Sequence, residues 1–111
     1  MSKKRSLLDS LLATLDNNHA LDVTVIDVRE QTSVTDYMVI CNGRSSRQVK
    51  SIAELTTEGM KALGYPRFGQ KDNTNADWIL LDFGDVVVHV MQPQIRAFYN
   101  LEGLWQHTSE S

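Results

Sequence analysis

Cysteine occurs once in these 111 residues, at Cys41. A single thiol can build neither an internal disulfide nor a cysteine-based zinc site, and it fits a reducing, cytoplasmic setting. Long apolar runs are missing as well: none approaches the ~18–20 residues that a membrane span needs. No secretory leader is expected. Lys3-Lys4-Arg5 gives a basic start, but Asp9 interrupts the leucines and no small-residue cleavage site follows. Positive charge is in deficit, with 11 Lys and Arg against 14 Asp and Glu and a formal net charge of −3. Proteins that grip nucleic acid through phosphates need a basic patch. The one basic cluster, Lys3 to Arg5, lies at the chain end, so extensive RNA or DNA binding is disfavoured and a protein partner is the better expectation.

Several catalytic signatures are absent too. There is no Gly-x-Ser-x-Gly elbow, and no Gly-Lys-Ser/Thr at Walker spacing. Asp82-Phe83-Gly84 spells the metal-binding tripeptide of kinases, but the glycine-rich loop, strand lysine and catalytic loop are missing and the chain is too short. The tripeptide reads instead as a tight turn.

What is present suits one globular domain, residues 1–111, with a core of about 7–105 and flexible ends: 41% hydrophobic and 23% charged residues are ordinary values. Leu7, Leu8, Leu11, Leu12 and Leu15 follow the spacing of an amphipathic helix, which Asn17-Asn18 breaks. The β-branched, alternating stretch 22–29 predicts a strand, and the continuously apolar "YMVIC", 37–41, a strand inside a sheet. Ser45 is a good N-cap, and Gln48 completes a capping box. The helix they open buries Val49, Ile52, Ala53, Thr56, Met60 and Leu63 and stops at Gly64, a C′ glycine. A short strand is expected around Arg67 to Gly69, then a polar loop, "QKDNTNA".

"DWILLDFGDVVVHVM", 77–91, predicts a hairpin on a two-residue Gly84-Asp85 turn of type II′. That register places Ile79, Leu81, Phe83, Val86, Val88 and Val90 on one apolar face. The other carries Trp78, Leu80 and Asp82 opposite Met91, His89 and Val87. Pro93 then starts a helix with Ile95, Phe98 and Tyr99 inward. The order of elements predicts an α/β fold on a mixed sheet of about five strands packed with helices.

Candidate chemistry is sparse. His19, His89 and His107 do not assemble into a site, and Cys41 reads as a small buried hydrophobe. Gly43 to Ser46 at a helix start would suit an anion or merely cap the helix. Strand, glycine, serine and helix together suggest a nucleotidyltransferase. Yet Asp82 and Asp85 straddle a turn and diverge, whereas a two-metal site needs converging oxygens. No catalytic residue, metal ligand or cofactor is assigned. The mixed face of the hairpin is either core beneath a helix or an interface; its residue pattern leaves both open.

"VIDVREQTSVTDYMVICNGRSSRQVKSIA", "ADWILLDFGDVVVHVMQP" and "RAFYNLEGLW" together resemble the ribosomal silencing factor family, also called Iojap or YbeB, over about Leu7 to Trp105. The resemblance implies a nucleotidyltransferase-like fold without catalytic carboxylates and a non-enzymatic, translation-repressing role. It implies docking on large-subunit ribosomal protein fourteen at the inter-subunit face, sterically blocking the small subunit, with organellar relatives acting in ribosome biogenesis. Carried over, the contact residues are Trp78, Leu80, Asp82, Phe83, Gly84, Asp85 and His89. Arg96, Tyr99, Glu102 and Trp105 match a C-terminal pattern where support and contact are both open. Minor contacts with ribosomal RNA, and a homodimer of the free protein that buries Trp78, also remain open. "GQKDNTNA", with Lys71, departs from the acidic, glycine-containing stretch usual in relatives, so loop contacts are not carried over. The competing expectation is a nucleotide-binding enzyme built on Gly43 to Ser46 and Asp82.

Overall fold

A computed structural model describes residues 3–72, 77–101 and 103. Its elements are α1 (Lys3–Asn17), β1 (Leu21–Asp27), β2 (Tyr37–Asn42), α2 (Ser46–Ala62), β3 (Gly69–Asp72), β4 (Trp78–Asp82), β5 (Val86–Met91) and α3 (Pro93–Tyr99). The five strands form one mixed sheet in the order β1-β2-β5-β4-β3. Only β2 and β5 pair in parallel; the other three pairings are antiparallel. β2 and β5, the most apolar strands, occupy the interior positions that their composition predicts.

Each helix ends for a local reason. α1 stops at His19, which takes a left-handed conformation (φ 65°) while Ala20 donates its N–H to the Leu15 carbonyl. The break thus falls just past the asparagine pair. Ser45 caps α2 from an extended conformation, its Oγ accepting the Gln48 N–H at 3.2 Å. The return arm of the expected capping box lands one residue earlier, on the Arg44 N–H at 2.6 Å. At the other end Gly64 has φ 92°, with Gly64 donating to the Lys61 carbonyl and Tyr65 to that of Met60, the pattern of a Schellman stop. Leu63, expected inside, is 58% exposed, because the chain turns away there before the helix face can cover it.

α1 and α2 cover one face of the sheet. Leu7, Leu8, Leu11 and Leu15 pack with Val49, Ile52, Ala53 and Met60 upon Val39, Cys41, Ile79, Leu81, Val86, Val88 and Val90. At ~1.5–3 kcal/mol per buried aliphatic side chain, this layer is the main source of stability. Burial also pushes the Cys41 thiol up to about 12, so it stays a protonated, inert hydrophobe. The hairpin has the expected register, Trp78 opposite Met91 through Asp82 opposite Val87. Phe83 donates to the Val86 carbonyl at 2.9 Å across a turn in which Gly84 has φ 86°.

Two further expectations need correction. β3 runs from Gly69 to Asp72, so "QKD" is an edge strand paired with β4 rather than the start of a loop. Backbone pairing decides this element, since an edge strand does not need an apolar face. Phe98 and Tyr99 in α3 do not point inward: they are 80% and 51% exposed, and among α3 residues Ile95 packs against the sheet. The expected roles of Glu102, Trp105 and His107 lie outside the described residues. Among the described residues no helix is long and apolar enough to cross a membrane.

Candidate docking site

The second face of the sheet is half covered. Ile26, Val28, Met38, Ile40 and Met91 form a smaller core, with Trp78, Ile95 and Leu101 packed against it. Pro93 at the first turn lets α3 fold straight back from β5, and Asn100 in a left-handed conformation (φ 47°) ends it. Arg96 ties this short helix down. Its Nη1 donates to the Asp22 carbonyl at 2.7 Å and to Asn42 Oδ1 at 3.0 Å, and its Nη2 to Thr24 Oγ1 at 2.9 Å. The receiving end is shaped by a register irregularity between Leu21 and Thr24, where Asp22 has φ 49°. Such bulges re-aim backbone groups, here a carbonyl toward a guanidinium.

At the far margin of α3 the mixed hairpin face emerges. Trp78 is half-buried, with the Tyr99 ring tilted against it at 4.9 Å between centroids. Phe98 meets Tyr99 edge to face at 5.1 Å and stays largely in solvent. Leu80, Asp82 and Val87 are half-buried and continue the face away from α3. Trp78 Nε1 donates to His89 Nδ1 at 2.9 Å. His89 is only 6% exposed, and burial lowers its pKa from 6.5 to about 4, so the ring is neutral.

The anticipated residues therefore separate. Trp78 and Leu80 sit together on the open part of the face. Gly84 and Asp85 form the adjoining turn, whose Gly84 N–H binds Asp82 Oδ1 at 2.8 Å. Asp85 also accepts the Asp36 and Tyr37 N–H groups on its backbone carbonyl, anchoring the turn to the start of β2. Phe83 is 3% exposed in the core beneath α1 and α2, on the opposite face. His89 lies under the open face rather than on it. Sequence reasoning placed Trp78 and His89 on one face but missed their bond; the diagonal positions in that register were the available signal. It also missed the Arg96 clamp, whose partners are 54 to 74 residues away.

The elements of a nucleotide site do not come together. Gly43 follows β2 beside Met91, whereas Asp82 pairs with Val87 at the other end of β5. Four residue steps along the strand separate the two ends, roughly 13 Å. At the α2 start, the Arg44 and Gln48 N–H groups are taken by Gln48 and Ser45 side chains, and Ser46 Oγ accepts from Gln92 Nε2 at 2.8 Å. Among the described residues no group of three or more His, Cys, Asp or Glu is placed to hold a metal ion.

The described residues thus define a small α/β protein with a five-stranded mixed sheet, one face packed by two helices and the other partly open around an aromatic patch. A family model described as ribosomal silencing factor during starvation matches residues 1–111. The ribosomal silencing factor RsfS of Haemophilus influenzae is 46% identical over 101 residues, covering 90% of this chain and 98% of that one. The mouse protein called mitochondrial assembly of ribosomal large subunit protein 1 is 35% identical over 103 residues, covering 88% of this chain and 44% of that one. A crystal structure of a Chromobacterium violaceum protein superposes with a TM-score of 0.89 at 31% identity, covering 95% of this chain and 88% of that one. The chain belongs to the ribosomal silencing factor family.

Proposed function

We propose that this chain silences ribosomes by occupancy: it docks on large-subunit ribosomal protein fourteen at the inter-subunit face and, in the cytoplasm, keeps the small subunit from joining. The observation that carries this reading is the open patch of Trp78 and Leu80 bordered by Tyr99 at the end of α3, in a member of the silencing-factor family. Steric exclusion asks no chemistry of the protein. It needs a rigid complementary patch and enough bulk to collide with the arriving subunit. Trp78 and Leu80 supply the apolar anchor, and the turn of Asp82, Gly84 and Asp85 supplies a polar rim where ribosomal RNA is also within reach. Phe83 and His89 act from beneath, holding the residues that make contact.

Co-sedimentation with purified large subunits, followed by a subunit-joining assay, tests the proposal. Binding accompanied by fewer joined ribosomes is the expected result; no binding defeats it. Binding without inhibition would favour a second reading, action in large-subunit assembly, which the name of the mouse relative supports. A second copy of the chain seated on the same patch is the competing occupant, and sedimentation velocity across concentrations distinguishes it.

A further inference from the structure

The indole of Trp78 is held from two sides. Tyr99 lies against it, with the rings inclined at 50°. From β5, His89 Nδ1 receives the indole N–H at 2.9 Å, with ring centroids 5.8 Å apart. A nitrogen that accepts a hydrogen bond carries no proton, so the imidazole is the neutral tautomer with its hydrogen on Nε2. His89 is buried, and its cross-strand neighbours Leu80 and Ile40 are both apolar. It presents almost no surface of its own.

We infer that His89 is a positioning residue for docking: it stays beneath the patch and fixes the Trp78 indole in the orientation the ribosomal partner meets. The inference rests on the docking role proposed for Trp78. A tryptophan on a half-open face has two side-chain torsions to settle, and each conformer left open must be given up on binding. One hydrogen bond and one ring contact settle both torsions before the partner arrives. The dependence of binding on His89 is then indirect and passes entirely through Trp78.

A double-mutant cycle reads that dependence. His89→Phe fills a similar volume without an acceptor, His89→Gln keeps an acceptor, and Trp78→Phe removes the donor; His89→Leu stands in where His89→Phe does not fold. Each protein is checked for folding by urea denaturation, its Trp78 indole N–H is followed by NMR, and its affinity for purified large subunits is measured. His89→Phe is expected to move the indole resonance and weaken binding roughly fivefold, the effect of one lost hydrogen bond. His89→Gln is expected to recover most of that loss. In the Trp78→Phe background, His89→Phe is expected to cost little more. A folded His89→Phe protein that binds like wild type overturns the inference, as does an undiminished further loss in the Trp78→Phe background, which marks direct contact. Failure of the docking proposal itself looks different: Trp78→Ala then binds like wild type.

Discussion

His89 is kept neutral in a site that offers a charged imidazole no counter-charge from its cross-strand neighbours, and acidification acts on the fold through it. Burial holds its folded pKa at about 4, against 6.5 in the unfolded chain. Above pH 6.5 neither state carries the proton, and the His89 contribution is fully present. As pH falls below 6.5 the unfolded chain binds a proton that the folded chain refuses, and stability drops until the folded ring titrates near pH 4. At ~1.4 kcal/mol per pH unit, the gap between 6.5 and about 4 is worth about 3 kcal/mol. That is a large part of the roughly 5–15 kcal/mol that holds a typical domain together. Urea denaturation of wild type and of His89→Gln at intervals from pH 7.5 to 4 isolates the effect, because carboxylate titrations common to both proteins cancel in the difference. The stability difference between the two is expected to shift by about 3 kcal/mol in favour of the glutamine variant on going from pH 7 to 4. Parallel pH curves for the two proteins would refute the argument.

Other substitutions test separate parts of the account. His19 holds a left-handed conformation at the end of α1, where glycine is favoured, so His19→Gly is expected to stabilise by ~1 kcal/mol, read as a higher thermal midpoint. The Thr56 hydroxyl is fully buried and has no hydrogen-bond partner among the described residues; Thr56→Val is expected to gain ~1 kcal/mol in urea denaturation. Arg96→Ala removes the clamp between α3 and the β1–β2 edge, and a loss of roughly 2 kcal/mol with faster amide exchange in α3 is expected. Arg96→Lys is expected to recover little of it, since an ammonium cannot reach three acceptors through one planar fork.

The parts of this fold that follow local rules were legible before any coordinates. The Ser45 cap, the Gly64 stop and the Gly84-Asp85 hairpin each depend on a few neighbouring residues, and the structure shows all three. The hairpin register separated Ile79, Leu81 and Phe83 from Trp78, Leu80 and Asp82. Beyond that the sequence was silent on how far α3 would reach across the second face. Met91 became core and Leu80 stayed half-open because a seven-residue helix covers only part of a sheet. Phe98 misled because periodicity in so short a helix barely defines a face. β3 misled because polar edge strands are specified by their neighbour's backbone. Arg96 joins segments whose proximity is a product of the whole topology, which no local pattern encodes.

Trp78 is proposed to anchor the protein to the ribosome. The most direct test is the affinity of wild type and a folded Trp78→Ala variant for isolated large-subunit ribosomal protein fourteen. Truncating a central interface aromatic costs ~2–4 kcal/mol, so binding is expected to weaken by roughly 30- to 1,000-fold. Equal affinity of the two proteins would contradict the account.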